Sequence, residues 1–159
     1  MQTSKCGIFI LNLQKFLGTP YRLGAEARLT LDNAGKIHLL VAENREVDCS
    51  ELMQIGLWSV PVTSVSGTPV TRWDGAGNQY LSCRPISVQA AGDTPGALLF
   101  REDAEAYRTK PAHIGHVGAV IGPGYVLHAS SSKGKVIITP ITSWWNRAAK
   151  IDELYEAAI

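Results

Sequence analysis

The chain has 159 residues, of which 45% are hydrophobic and 18% charged, with a formal net charge of +1. This length suits one domain, and the apolar content excludes a disordered protein. No block of like charges favours binding to nucleic acid or to an anionic membrane surface. The three cysteines, Cys6, Cys49 and Cys83, are odd in number and widely spaced, which argues against a disulfide framework and a structural metal site. We therefore expect no metal and no cofactor.

The N-terminal segment predicts a first helix that starts in the apolar stretch 7–13 and ends at Leu17-Gly18. That stretch is much shorter than the roughly 20 residues that cross a bilayer, and it lacks the flanks of a signal peptide. We expect no membrane insertion and no secretion signal, so that the protein leaves the cell by another route or as one piece of a larger assembly. Next, alternating hydrophobicity around a turn-forming sequence predicts an inserted β-hairpin over 28–41.

A second helix is predicted from Val47 to Trp58. Asp48 is its predicted N-cap, and Glu51 completes a capping box. Apolar residues occupy most of the circumference of this helix, which predicts that it is buried. The following segment, 60–84, is rich in Thr, Ser, Gly and Pro, and is predicted to be a long loop.

The C-terminal half is predicted to be rich in β-strands. The predicted strands are 97–100, 116–121, 125–129 and 135–138, and a segment beginning at Trp144-Trp145 leads to a short helix over 151–158. The two tryptophans are expected to pack in the core or to line a groove. Helices first and hairpin strands later indicate the α+β class, in a single domain over residues 1–159.

Cys49 directly follows the predicted N-cap and therefore lies in the first turn of the second helix. The thiolate is the reactive form of cysteine, and a helix N-terminus lowers the pKa of a thiol through its unpaired N–H groups and its dipole. Cys49 is thus a candidate nucleophile. The alternative for an isolated cysteine is a buried structural residue.

His116 and His128 lie on the two strands of a predicted hairpin. If the turn 122–124 closes symmetrically, His128 faces Gly118, and His116 is its diagonal neighbour on the same face of the sheet. The missing side chain of Gly118 then leaves room for both rings. Two such imidazoles can act as a base and the residue that orients it. The alternatives are partly exposed histidines or a metal site, for which a third ligand is lacking.

Five motifs in this order resemble the NlpC-type cell-wall cysteine peptidases, a papain-like group: LGTPYR at 17–22, DCSEL at 48–52, PGALLF at 95–100, GHVGAVIG at 115–122 and VLHA at 126–129. The resemblance covers about residues 10 to 140. It implies N-terminal helices with the nucleophile helix packed on an antiparallel sheet, Cys49 as nucleophile, His116 as base and His128 as the second polar residue. It also implies cleavage of peptidoglycan stem peptides, often at the bond after D-glutamate.

The resemblance further implies that Tyr21 lies near the thiolate and that Asp48 and Ser50 hold the N-terminal side of the substrate. For Asp48, a helix cap alone is the rival interpretation. The chain departs from the family pattern in the 28–41 and 60–84 segments and at Glu51, where glycine is common in the family. These departures leave the substrate preference open.

We therefore expect a cysteine hydrolase that acts on peptidoglycan or muropeptides at the bacterial cell envelope through an acyl-enzyme and a Cys-His-His triad. Two alternatives stay open. One is a papain-like acyltransferase or amidase, and the other is a catalytically silent structural module of a phage tail or secretion apparatus. The segment from residue 77 to the 95–100 motif also resembles phage-encoded members of the family, although more weakly. We therefore also expect that the protein is delivered as a phage or virion component.

Overall fold

The computed structural model describes residues 4–21, 29–31, 37–39, 48–57, 60 and 62–156. Its α-helices are α1 (Lys5–Gln14), α2 (Cys49–Gly56), α3 (Ala76–Ser82) and α4 (Val88–Gly92). Its strands are β1 (Leu29–Leu31), β2 (Ile37–Leu39), β3 (Ser64–Val65), β4 (Thr68–Pro69), β5 (Arg84–Ile86), β6 (Leu98–Glu102), β7 (Ile114–Gly122), β8 (Tyr125–Ser130), β9 (Lys135–Pro140) and β10 (Arg147–Lys150). In this part of the chain, no helix is long and apolar enough to cross a membrane.

A six-stranded antiparallel sheet in the order β5-β10-β6-β7-β8-β9 forms the centre of the fold. Since consecutive residues of a strand point to opposite faces, each strand contributes to two layers. Helices α1 and α2 cover one face, where Val117 and Leu127 belong to the larger buried cluster. Helix α4 lies against the other face, where Val120 and Val126 pack in a smaller cluster.

Helix α2 begins where the capping pattern predicts. The Asp48 side chain accepts a hydrogen bond from the Glu51 N–H at 2.8 Å, which satisfies one of the unpaired donors of the first turn. The helix ends at Gly56, two residues before the predicted end at Trp58, which lies outside the described residues. A Cβ on Gly56 would lie 2.8 Å from a ring carbon of Phe9, so this glycine lets α1 cross close to α2.

The segment 60–84 is not the long loop that its composition predicts. It contains the two-stranded β3–β4 hairpin, a 3-10 turn over Val70–Arg72, and helix α3. Tertiary contacts explain the difference, because the Gln79 side-chain amide donates to the carbonyls of Ser50 and Trp73 at 2.9 and 3.1 Å. Helix α3 is thereby attached to α2.

The other predicted elements are present with shifted bounds. In the predicted 28–41 hairpin, β1 and β2 pair antiparallel with Leu29 opposite Leu39, and the rest of that segment lies outside the described residues. The predicted C-terminal helix 151–158 is a single 3-10 turn over Asp152–Tyr155. Strands β5 and β10 extend the sheet beyond the strands expected from the sequence.

The β7–β8 hairpin has a two-residue tip, Pro123-Gly124, and not the symmetric three-residue turn assumed from the sequence. Gly124 has a φ of +81°, which favours glycine. A register shift leaves Ile121 without a cross-strand partner, as in a β-bulge. The extra residue restores the pairing that a symmetric turn would give, so that Ala119 faces Leu127. Beyond that pair, towards His116, β7 and β8 no longer form a ladder.

Candidate active site

Cys49 lies where the N-terminus of α2 meets β7. Its side chain is only 8% exposed. The backbone N–H groups of Val117, Ser50 and Cys49 lie near its sulfur and act to lower the pKa of the thiol, which favours the thiolate. Because Val117 directly follows His116, the thiol lies beside the start of the open part of the β7–β8 pair.

His116 and His128 are in direct contact on one face of the sheet, as the sequence predicts. The Nε2 atom of His116 lies 2.9 Å from the Nδ1 atom of His128, and the two rings are nearly perpendicular at 86°. A Cβ on Gly118 would lie 2.9 Å from the Cβ of His128, so only glycine leaves room for this pair. Since Nε2 of His116 faces His128, Nδ1 is the ring nitrogen that remains to act on a thiol.

Two tryptophans enclose the histidine pair. Trp145 is 4% exposed; it stacks on His116 with the ring centroids 5.4 Å apart and meets His128 edge-on at 5.1 Å. Trp144 is 43% exposed and lies edge-on to His116 at 5.6 Å. Of the two roles considered for the pair, Trp145 packs in the core and Trp144 borders the site. Their proximity to the histidines has no signal in the sequence beyond the dipeptide itself.

The turn that carries both tryptophans is fixed to strand β6. The side-chain oxygen of Asn146 accepts the Glu102 N–H at 2.7 Å, and its nitrogen donates to the Glu102 carbonyl at 2.9 Å. The backbone N–H of Asn146 also donates to the carbonyl of Phe100 at 3.1 Å. These bonds fix the backbone of the turn that carries the two indole rings.

The electrostatics of the site differ from the expectation drawn from the helix terminus. Burial, followed by the charge of Asp48, raises the pKa of the Cys49 thiol to about 11. Burial, followed by the proximity of His128, lowers the pKa of His116 to about 3, and burial lowers the pKa of His128 to about 4. Desolvation thus outweighs the three N–H groups at the sulfur. At neutral pH the thiol and both imidazoles are uncharged.

This charge state predicts the pH dependence of thiol labelling. Because the folded-state pKa of Cys49 lies near 11, the thiolate fraction should rise about tenfold per pH unit between pH 6 and 9. We expect the iodoacetamide labelling rate of a Cys6→Ser/Cys83→Ser protein to rise in the same way. A rate that is constant between pH 6 and 8 would instead indicate a preformed thiolate–imidazolium pair and contradict this assignment.

The three residues expected to bind substrate lie around the start of α2. Burial, followed by the Coulombic influence of Cys49, Asp48 and Tyr107, raises the pKa of Tyr21, so its hydroxyl lies close to the thiol. The Ser50 hydroxyl donates to Asp48 Oδ1 at 3.3 Å. Asp48 caps the helix, as the rival interpretation expects, and this is compatible with a second role in binding substrate.

Tyr107 is a neighbour of the site that the sequence analysis did not identify. Its ring packs on Gly115, at a distance where a Cβ on that residue would overlap the ring. Gly115 precedes His116, so the tyrosine supports the backbone that carries the histidine. Tyr107 also contributes to the raised pKa of Tyr21, so it lies near the start of α2.

Comparisons with known proteins locate this arrangement in a known fold. No family model and no curated protein sequence matches the chain. Among solved structures, it is similar to the peptidoglycan hydrolase RipB of Mycobacterium tuberculosis (22% identity, TM-score 0.63, covering 92% of this chain and 64% of that one). It is also similar to NlpC1 of Trichomonas vaginalis (20% identity, TM-score 0.65, covering 95% of this chain and 45% of that one). A third similar structure is the P60 domain of an antigen of Mycobacterium avium subspecies paratuberculosis (23% identity, TM-score 0.59, covering 92% of this chain and 94% of that one).

The chain spans 64% and 45% of the length of the first two of these proteins. At such identities the likeness concerns the fold. The chain therefore has the mixed helix and antiparallel-sheet fold of the papain-like NlpC/P60 domains.

Proposed function

We propose that the protein is a cysteine hydrolase that cleaves peptidoglycan stem peptides, with Cys49 as nucleophile, His116 as base and His128 as the residue that orients the base. The observation that carries the proposal is the 2.9 Å contact between Nε2 of His116 and Nδ1 of His128. It lies beside the Cys49 thiol, near which the Val117 N–H is placed. The substrate class is supported by the structural neighbours, among which RipB is described as a peptidoglycan hydrolase.

The reaction begins from the uncharged thiol and imidazole. As the Cys49 sulfur attacks the peptide carbonyl, Nδ1 of His116 takes the thiol proton. Nε2–H of His116 donates to Nδ1 of His128, and this bond fixes both the tautomer and the ring orientation. Burial makes an isolated imidazolium costly, so the charge on His116 forms together with the anion beside it.

The tetrahedral anion is then stabilised at the N-terminus of α2. The Cys49 N–H has no intrahelical acceptor at this position, so it can turn from the sulfur to the developing oxyanion once the sulfur has bonded to carbon. The His116 imidazolium returns its proton to the leaving amine, which gives a thioester on Cys49. Water, activated by neutral His116, hydrolyses the thioester and frees the enzyme.

The acyl side of the substrate lies at the start of α2. Tyr21, Asp48 and Ser50 border the thiol there, and the Asp48 carboxylate suits a free amino group on the N-terminal side of the stem peptide. We propose the bond after D-glutamate as the scissile bond and the bacterial cell envelope as the place of action. Delivery by a phage or a secretion assembly stays a prediction from sequence.

The test compares two cysteines of equal burial. Cys49 and Cys83 are both 8% exposed, so Cys83→Ala controls for the loss of a buried thiol. We expect wild type and Cys83→Ala to release peptides from purified peptidoglycan within about threefold of each other, and Cys49→Ala to be slower by about 10,000-fold or more.

Mass spectrometry of the products identifies the reaction. A gain of one water per cleaved bond is expected for hydrolysis, whereas transfer of the acyl group to an added amine in preference to water would indicate the acyltransferase. Equal peptide release by wild type and Cys49→Ala would refute the proposed nucleophile.

A further inference from the structure

Arg101 lies directly beside His116. The two residues face each other across strands β6 and β7, and cross-strand partners place their side chains on the same face of the sheet. That face is opposite to the one that α2 covers, because Phe100 and Val117, the neighbours of these residues, point into the cluster under α2. Arg101 thus lies beside His116 on the face away from α2, the helix that carries Cys49.

The Arg101 guanidinium is held over the exposed indole of Trp144. Its Cζ atom lies 5.5 Å from the ring centroid, and Nη1 donates to the Trp144 carbonyl at 2.8 Å. The ion pair between Arg101 and Asp103 is long, with Nη2 and Oδ2 3.9 Å apart. The Oδ1 atom of Asp103 accepts the N–H groups of Glu105 and Ala106, which orients that carboxylate towards its own turn. The Arg101 side chain keeps 27% exposure.

The position of this pair relative to the reaction indicates which part of a substrate reaches it. His116 takes a proton from sulfur and gives it to the leaving nitrogen, so the leaving residue must lie against the His116 ring. Tyr21, Asp48 and Ser50 occupy the acyl side at the start of α2. The leaving residue therefore extends over the other flank of His116, where Trp144 and Arg101 lie.

We propose that Arg101 and Trp144 form a subsite for a carboxylate on the residue that follows the scissile bond. Arginine presents several donors in a plane and binds carboxylates in a bidentate way, while the indole face gives the alkyl part of that residue a flat apolar surface. The hydrogen bonds from Asn146 to strand β6 fix Trp144, so little ordering is needed on binding. This inference rests on the proposed function.

The test uses two substrates that differ by one charge. They are L-alanyl-γ-D-glutamyl-L-lysine and the same peptide with a lysine carboxamide. We expect wild type to prefer the free acid about tenfold in kcat/KM, the size of one charge-assisted hydrogen bond. Arg101→Gln should bring this ratio close to one by slowing cleavage of the acid, with the amide cleaved within about twofold of wild type. Arg101→Lys should keep part of the preference.

Arg108→Gln is the matched control, because Arg108 is an exposed arginine in the turn after β6 and the substitution removes the same charge. It should keep the tenfold preference. Three results would each overturn the subsite. The first is a wild type that cleaves both peptides equally well. The others are an Arg101→Gln protein that keeps the preference for the acid, or one whose kcat/KM falls equally for both substrates.

A binding experiment separates this inference from the proposed reaction. In Cys49→Ala protein, the NMR signal of the Trp144 indole N–H, assigned by its loss in Trp144→Phe, is followed while Nα-acetyl-L-lysine or its carboxamide is added. Tighter binding of the acid, abolished by Arg101→Gln, supports the subsite even if wild type cleaves neither peptide. Equal or undetectable binding of both compounds refutes it, whatever the protein cleaves.

Discussion

A His116→Ala protein is expected to release peptides from peptidoglycan at least about 1,000-fold more slowly than wild type. In the proposed mechanism the buried, neutral imidazole is the base for the thiol and the proton donor for the leaving amine, and general acid–base catalysis of this kind contributes about 100- to 10,000-fold. The initial rate of peptide release, followed by liquid chromatography and mass spectrometry, measures the effect. Unchanged release would remove His116 from the mechanism.

A matched pair of substitutions at His128 controls for the role of its hydrogen bond. In the proposed mechanism the acceptor on His128 is Nδ1, and the side-chain oxygen of asparagine lies at a similar distance from Cα. His128→Asn can therefore still orient the base, whereas His128→Leu cannot. We expect the asparagine variant to be at least about tenfold faster than the leucine variant. Equal rates would show that His128 acts by packing and not by orienting His116.

A Gly118→Ala protein is expected to be both less stable and far less active. The new Cβ would lie 2.8 Å from Cγ2 of Val126 and 2.9 Å from the Cβ of His128, which is closer than van der Waals contact allows. Relief requires β8 to move and to carry His128 away from His116. We expect the free energy of unfolding to fall by about 1–3 kcal/mol, as for other overpacked sites. We also expect peptide release to slow by about 100-fold, the scale of a 1 Å misplacement.

Gly122→Ala supplies the control for that experiment, because a Cβ on Gly122, in the same strand, would meet nothing within 4 Å. Its denaturant unfolding curve and its peptide-release rate should match those of wild type. If Gly118→Ala behaved like Gly122→Ala, the glycine would not be what permits the histidine contact.

The parts of the site that could be predicted from sequence depend on local rules. The start of α2 follows from the capping chemistry of Asp48, whose bond to the Glu51 N–H spans three residues. The contact between His116 and His128 agrees with strand alternation around a short turn, although a two-residue tip and the bulge at Ile121 take the place of the symmetric turn expected from the sequence. Both signals lie within a few residues of the group that they position, so one sequence suffices to read them.

The parts that could not be predicted depend on long-range contacts. Helix α3 has no side-chain cap at its start, and it is fixed through Gln79 to Ser50, 29 residues away. Trp145 reaches His116 because β10 pairs with β6. The neutral state of Cys49 arises in the same way. Local geometry favours the thiolate, and the desolvation that overrides it comes from the sheet packed around the helix start.

The bulge at Ile121 makes the register of a remote hairpin tip a condition for the histidine pair. If a hairpin of the same length kept the two-residue tip but lacked the bulge, the register of Gly122 and Tyr125 would continue along the ladder. His128 would then face Ala119 and lie on the face opposite to His116. The tip can therefore be replaced by many sequences, provided that tip length and bulge together keep Ala119 opposite Leu127. In loops grafted onto this hairpin, a two-residue tip of this length should need the bulge, whereas a symmetric three-residue turn over 122–124 should form the histidine pair without it.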